Sequence, residues 1–280
     1  MAIPELKEAL ALLVRMPLLW IPGIIGGAFA AILWLTLFIS GAFFTSRLLV
    51  IFSLVLLFFT TGMVSVIRNN EATGRAFVTG GLNNYFRVLL PQLVIGFALL
   101  LVFILCTITF ALLGLASDIG LLISLTFGIM IPTLMLTFFF DTVAVFEDRR
   151  VFESIQRSIL LVSENMMEVL SFFVVSALLC AGTIFCLMIV WEAILFDKLK
   201  PIMDFTDVQR EAFTPDQLFA MIGQDGMWVT AIILFIGVLI LIPVLFSFKT
   251  CFYKKMASTT ITIEQQISGE YDSKGRWYKY

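Results

Sequence analysis

Three ionisable residues fall inside or at the edge of long apolar runs: Asp141, Lys249 and Glu192. A charge held in hydrocarbon is costly, so each is a candidate functional position by default. Asp141 follows three phenylalanines near one end of its run. Lys249 occupies the matching place in a later run, and Glu192 sits beside Trp191 near the opposite end of a third. At one depth, Asp141 and Lys249 could pair, bracing a bundle or gating a path through it. Alternatively, each lies close enough to an interface to reach water.

Little other chemistry is available. The chain has no histidine, which removes imidazole acid–base catalysis and the Ser–His and Cys–His nucleophile pairs. Cys106, Cys180, Cys186 and Cys251 lie within apolar runs without CxxC spacing and read as small buried hydrophobes. Phosphate-loop, zinc-protease and serine-hydrolase motifs are missing, as are metal-spaced acid clusters, and intramembrane acids are too few for a conventional proton relay. No catalytic, cofactor-binding or metal-ligating residue is expected. Pro132 and Pro243 interrupt two apolar runs and could free carbonyls there.

The elements that must position these groups are membrane spans. Hydrophobic residues make up 60% of the 280-residue chain and charged ones 14%, with a mean hydropathy of +1.04. Soluble domains run at about 45–50% apolar and ~25% charged. Six runs meet the ~20 residues needed to cross a bilayer core: 16–44, 48–67, 88–116, 119–146, 169–196 and 228–250. The first, preceded by the helix-forming segment 4–15 with two acids, reads as a retained span rather than a cleaved signal. Six spans place both termini on one side. Of 18 Lys and Arg, only Arg47, Lys198, Lys200 and Arg210 fall on the other, so both termini are expected in the cytoplasm. A net charge of −2 gives no footprint for nucleic acid.

Residues 147–170, EDRRVFESIQRSILLVSENMMEVL, predict an amphipathic interfacial helix. Val151, Phe152, Ile155, Ile159, Val162 and Met166 share one face; Glu153, Gln156, Arg157 and Glu164 share the other. Glu153 and Arg157 have the spacing of a helical ion pair. The triplets Phe59-Thr60-Thr61, Phe140-Asp141-Thr142 and Phe248-Lys249-Thr250 close spans two, four and six. Segments beginning near Glu8, Arg75 and Glu153 each lead into the next span. The unit is thus an interfacial helix plus a transmembrane hairpin, present three times in one orientation. The smaller residues Gly23, Gly26 and Gly27 would permit close helix packing in span one.

This pattern, carried by Val151 to Leu170 with echoes at 8–17 and 75–87, resembles a family of uncharacterised six-span prokaryotic proteins. Those are similar to the membrane domain attached to some glycerophosphodiester phosphodiesterases. The resemblance implies a fold and brings no catalytic residues, since the soluble phosphodiesterase domain is not in this sequence.

The expected protein is all-α and polytopic, with six transmembrane helices in three parallel repeats. Residues 1–255 form one domain, interrupted by an acidic outer loop at 197–227, and 256–280 form a polar cytoplasmic tail. In the loop, Thr214, Pro215 and Gln217 have capping-box spacing for a short helix that Gly223 can end. In the tail, Thr260, Thr262 and Glu264 alternate with isoleucines as in a brief strand. The function these features favour is non-enzymatic: packing against membrane lipids, a membrane-protein partner or a second copy of the chain. The alternative is a small transporter or channel. The third reading is a lipid-modifying enzyme using Glu192 and the outer-loop acids.

Overall fold

The computed structural model describes residues 2–114, 119–203, 205, 213–267, 269–271 and 277–279, with 119, 203, 215, 216 and everything from 259 onward described by backbone alone. The chain is helical almost throughout. Among the described residues, five helices are long and apolar enough to cross a membrane, which makes it a multi-pass membrane protein.

Helix α1 (Ile3–Arg15) is amphipathic, with Ala9 and Leu13 buried. A 3-10 turn at Pro17–Trp20 turns the chain into α2 (Ile21–Asn69). That helix breaks at Gly41, where φ is +75°, a conformation that suits a residue without Cβ. Its two arms fold back side by side: the Phe29 and Phe52 rings stack at 4.1 Å. The bend comes a few residues before the polar Thr45-Ser46-Arg47 group at which the first two spans were expected to divide, because Gly41 supplies the needed torsion. Asn70, at φ +54°, ends the second arm.

Helix α3 (Gly74–Leu112) starts where the Thr73 hydroxyl accepts the Ala76 amide at 3.2 Å. It carries the interfacial segment and the span in one piece through Pro91. Helix α4 (Ile119–Thr137) stops at Phe138-Phe139, and α5 (Phe140–Phe146) resumes. The break lies beyond Pro132, and Ser158 serves it: its hydroxyl donates to the Leu136 carbonyl at 3.0 Å and accepts the Phe139 amide at 3.1 Å. Helices α6 (Val151–Glu164) and α7 (Met166–Ile194) follow. Helix α8 (Phe196–Met203) occupies the start of the segment read as loop. Helix α9 (Pro215–Ile267) breaks at Gly223, where φ is +61°.

The Thr214 capping box forms: its amide donates to Gln217 Oε1 at 3.0 Å, and its hydroxyl accepts the Gln217 amide at 3.4 Å. The short arm before Gly223 caps the first hairpin, with Phe219 edge-on to Trp34 and Phe38. Helix α9 continues through residues 260–264, so the strand expected there does not form. An antiparallel pair, β1 (Gly269–Tyr271) with β2 (Trp277–Lys279), comes after it.

The contacts sort into two ends. At one end are α1, α6, the Asn70 turn and the far part of α9, joined by Lys255 to Glu5 at 2.7 Å. At the other are the Gly41 bend and α8, joined to α9 by Lys198 to Asp225 at 2.8 Å. An aromatic core of Phe139, Phe172, Phe248, Phe252 and Tyr253 fills the first end. Helices α2 and α9 make the closest approach. A Cβ on Gly27 would sit 2.6 Å from the Phe235 carbonyl oxygen, and one on Gly23 2.6 Å from Pro243 Cγ.

Helix α6 presents a different face than its periodicity predicts. Ser154, Ser158, Leu161 and Val162 are buried, while Phe152 is 73% exposed and Ile159 also faces outward. The small serines let α6 close on the broken span, and the bulky apolar residues turn to the surroundings. The expected Glu153–Arg157 pair also gives way. Arg157 reaches Glu147 at 3.3 Å, and Glu153 accepts the Arg150 amide at 3.3 Å.

Candidate ligand-binding site

Asp141 stands in the first turn of α5, just past the break that follows α4, where the helix N-terminus favours a carboxylate. Its Oδ1 accepts the Thr142 amide at 2.7 Å and the Thr142 hydroxyl at 3.2 Å. Lys249 comes from α9. Its Nζ lies 2.7 Å from Asp141 Oδ1 and 2.8 Å from Oδ2, and 4.2 Å from the Phe138 ring centroid. Both side chains are largely buried, at 14% and 10% exposure. The two intramembrane charges of opposite sign therefore neutralise one another.

The pair lies in the wall of a cavity of about 970 Å³. The second arm of α2 contributes Leu56, Thr60, Thr61 and Val64; α3 contributes Gln92, Ile95 and Gly96; and α4, α5, α7 and α9 complete the wall. The lining is mostly apolar. Gln92, Gly96, Ile131 and Leu134 line it and are also exposed, so its mouth lies between α3 and α4. The first residue after the phenylalanine in each of the three triplets, Thr60, Asp141 and Lys249, lines this one cavity.

Thr61 stands apart from its neighbours. Thr60, Thr126, Thr137 and Thr250 all return their hydroxyls to a carbonyl one turn back in their own helices. The Thr61 hydroxyl is buried and has no hydrogen-bond partner among the described residues. Sequence reading passed over both Thr61 and Gln92. The signal for Gln92 was an uncharged amide in the midst of an apolar run; for Thr61, it was membership in a repeated triplet.

A second polar cluster sits outside the spans at the α1 end. Glu147 accepts from Arg149, Arg157 and Tyr253, the last at 2.8 Å. Asp148, in the left-handed region at φ +53°, receives Arg68 at 2.6 Å and also Arg87. Its carboxyl is held below the ordinary 3.8, first by the hydrogen bond from Arg68. Partial burial opposes this, and attraction to Arg68 and Arg87 adds to it. Three elements are thereby tied together: the ends of α2 and α5 and the first part of α3.

The remaining candidates are not brought to the cavity. Glu192 is exposed near Trp191, whose indole donates to Thr230 at 2.8 Å at the α8 end. Glu192 and Glu164 have no partner among the described residues. Of the outer-loop acids, Asp204, Asp207 and Glu211 lie outside the described residues. Asp225 holds Lys198, which also donates to the Ile222 carbonyl at 3.0 Å and so closes the short arm of α9. Among the described residues, no acid or cysteine grouping could hold a metal ion. Comparison with protein-family models, with curated proteins and with solved structures returns no match.

Proposed function

We propose that this chain is a non-enzymatic integral protein of the cell membrane that binds a lipid in the cavity beside Asp141 and Lys249. The observation that carries the reading is the cavity itself. Its volume is at the upper end of the ~300–1,000 Å³ of small-molecule sites, its lining is apolar with few polar groups, and its mouth opens on the sides of α3 and α4, toward hydrocarbon.

The reading includes six crossings, because the two arms of α2 run side by side. It includes three parallel repeats. The first part of α3 packs on the second arm of α2 and α6 packs on α4 and α5, each closing on the hairpin before it, while α1, which has no hairpin before it, packs on the end of α9 in the last hairpin. Both termini are cytoplasmic, which sets the Glu147 and Asp148 clusters at the inner headgroup level. The likeness to the membrane domain of glycerophosphodiester phosphodiesterases belongs to the same reading and implies no activity.

Native mass spectrometry of the protein released from lipid particles tests it. A stoichiometric lipid adduct is expected. A stoichiometric protein partner without lipid would move the function to the contact faces of α6 and the outer loop. The transport reading has one observation of its own, the interruption of span four at Phe138-Phe139. It predicts water-accessible cysteines through the middle of spans four and six, which lipid binding alone does not require.

A further inference from the structure

The geometry points to an uncharged, hydroxyl-bearing amphiphile, an acylglycerol or glycolipid, as the occupant of the cavity. Its head would rest on Thr61 and the free side of Asp141, its ester groups would pass Gln92 at the mouth between α3 and α4, and its chains would leave there. The inference rests on the reading of this cavity as a lipid site and names its headgroup chemistry.

Charge is the first argument. Asp141 and Lys249 already cancel. A headgroup with net charge would enter this apolar space without a counter-ion, which is strongly unfavourable. The second is donor supply. Lys249 is the only cation lining the cavity among the described residues. It has three ammonium protons; two face the carboxylate oxygens of Asp141, and the Phe138 ring face lies beside the group. Arg68 and Arg87 are committed to Asp148. A phosphate would therefore find no available cation. The third is what remains open. Among the described residues, Asp141 Oδ2 has only its bond to Lys249, the buried Thr61 hydroxyl has no partner, and the Gln92 side chain makes no hydrogen bond. These are an acceptor, a donor–acceptor and an amide. A lipid hydroxyl that donates to Asp141 and accepts from Thr61, with an ester carbonyl that accepts from the Gln92 amide, answers all three, and a site holding unpaired polar groups rejects an apolar ligand that cannot.

The test reconstitutes the full-length protein in lipid particles holding equal amounts of dioleoylglycerol, phosphatidylethanolamine and phosphatidylglycerol. The lipid retained after release is then read by native mass spectrometry. Dioleoylglycerol is expected to be retained over either phospholipid by about tenfold. Thr61→Val should cut that retention about fivefold, and Thr61→Ser should keep it. Gly96→Leu, placed where an added Cβ meets nothing within 4 Å, should fill the mouth and abolish it without disturbing the fold. A phospholipid retained instead, and lost in Gly96→Leu, overturns the uncharged headgroup while sparing the lipid site. Equal retention in wild type and Thr61→Val overturns the role of the hydroxyl. No retained lipid, or retention indifferent to Gly96→Leu, overturns the lipid site together with this inference.

Discussion

Lys249 and Asp141, 108 positions apart, meet through both carboxylate oxygens at 2.7 and 2.8 Å inside the bundle. The contact ties α9 to α5 beside the aromatic core. Removing one partner leaves the other charge buried and unpaired. Lys249→Met and Asp141→Asn should each destabilise the protein by about 3–5 kcal/mol, whereas replacing both with apolar residues should be close to neutral. Exchanging the two charges should recover most of the loss from either single reversal. Thermal unfolding in detergent, followed by circular dichroism, reads all of these. Single variants as stable as wild type would show that the pair contributes nothing.

Ser158 predicts a second effect, one of hydrogen bonding rather than charge. Its hydroxyl serves the Leu136 carbonyl and the Phe139 amide, both orphaned by the break between α4 and α5, and the residue is fully buried. Ser158→Ala removes one atom and leaves two buried backbone groups unpaired, a cost of about 1–3 kcal/mol. Ser154→Ala, on the same face with a hydroxyl that returns to the Val151 carbonyl of its own helix, should cost much less. Equal effects of the two changes would argue that Ser158 matters only for its size.

The contrast between these helices and their sequence signals is physical. Spans were legible because length and apolar composition report directly on hydrocarbon. Local devices were legible where they need no partner: the Thr214 and Gln217 cap, the Gly223 break, and the glycines of span one. The repeated triplets contain Thr60, Asp141 and Lys249, which line one cavity. What periodicity could not show was which face of α6 packs. In water the apolar stripe turns inward; beside lipid it can turn outward, and small polar residues such as Ser154 and Ser158 fill the contact. The Gly41 bend was displaced because apolar residues surround it, and hydropathy does not register a torsion. The signals at Thr61 and Gln92 were weak because an uncharged polar residue in a span is ordinary until its neighbours are known.

Gly23 and Gly27 give a third prediction, on packing alone. Each faces α9 with no room for a methyl group: Pro243 Cγ at 2.6 Å in one case and the Phe235 carbonyl oxygen at 2.6 Å in the other. Gly23→Ala and Gly27→Ala should force the helices apart, each at about 1–3 kcal/mol. Gly96→Ala, facing open space, should gain slightly from helix propensity instead. Opposite signs in the shift of the unfolding temperature are the expected result. A common sign would mean that the crossing of α2 and α9 is slack enough to absorb the methyl group.

Asp148 supplies a prediction in pH. Its carboxyl is depressed below 3.8, first by the hydrogen bond from Arg68, so the folded state binds its proton less readily than the unfolded chain does. The stabilisation is therefore complete above the ordinary value and is lost as pH falls through the depressed one. The side chain is about half exposed, and solvent and salt screening hold the effect to about 1 kcal/mol or less. Asp148→Asn keeps a residue suited to the left-handed backbone at φ +53°, so it isolates the charge. The variant should be less stable than wild type at neutral pH and low salt. The difference should shrink in high salt and vanish once pH is well below 3.8. A difference that persists in acid would show that Asp148 acts through something other than its charge pairing with Arg68 and Arg87.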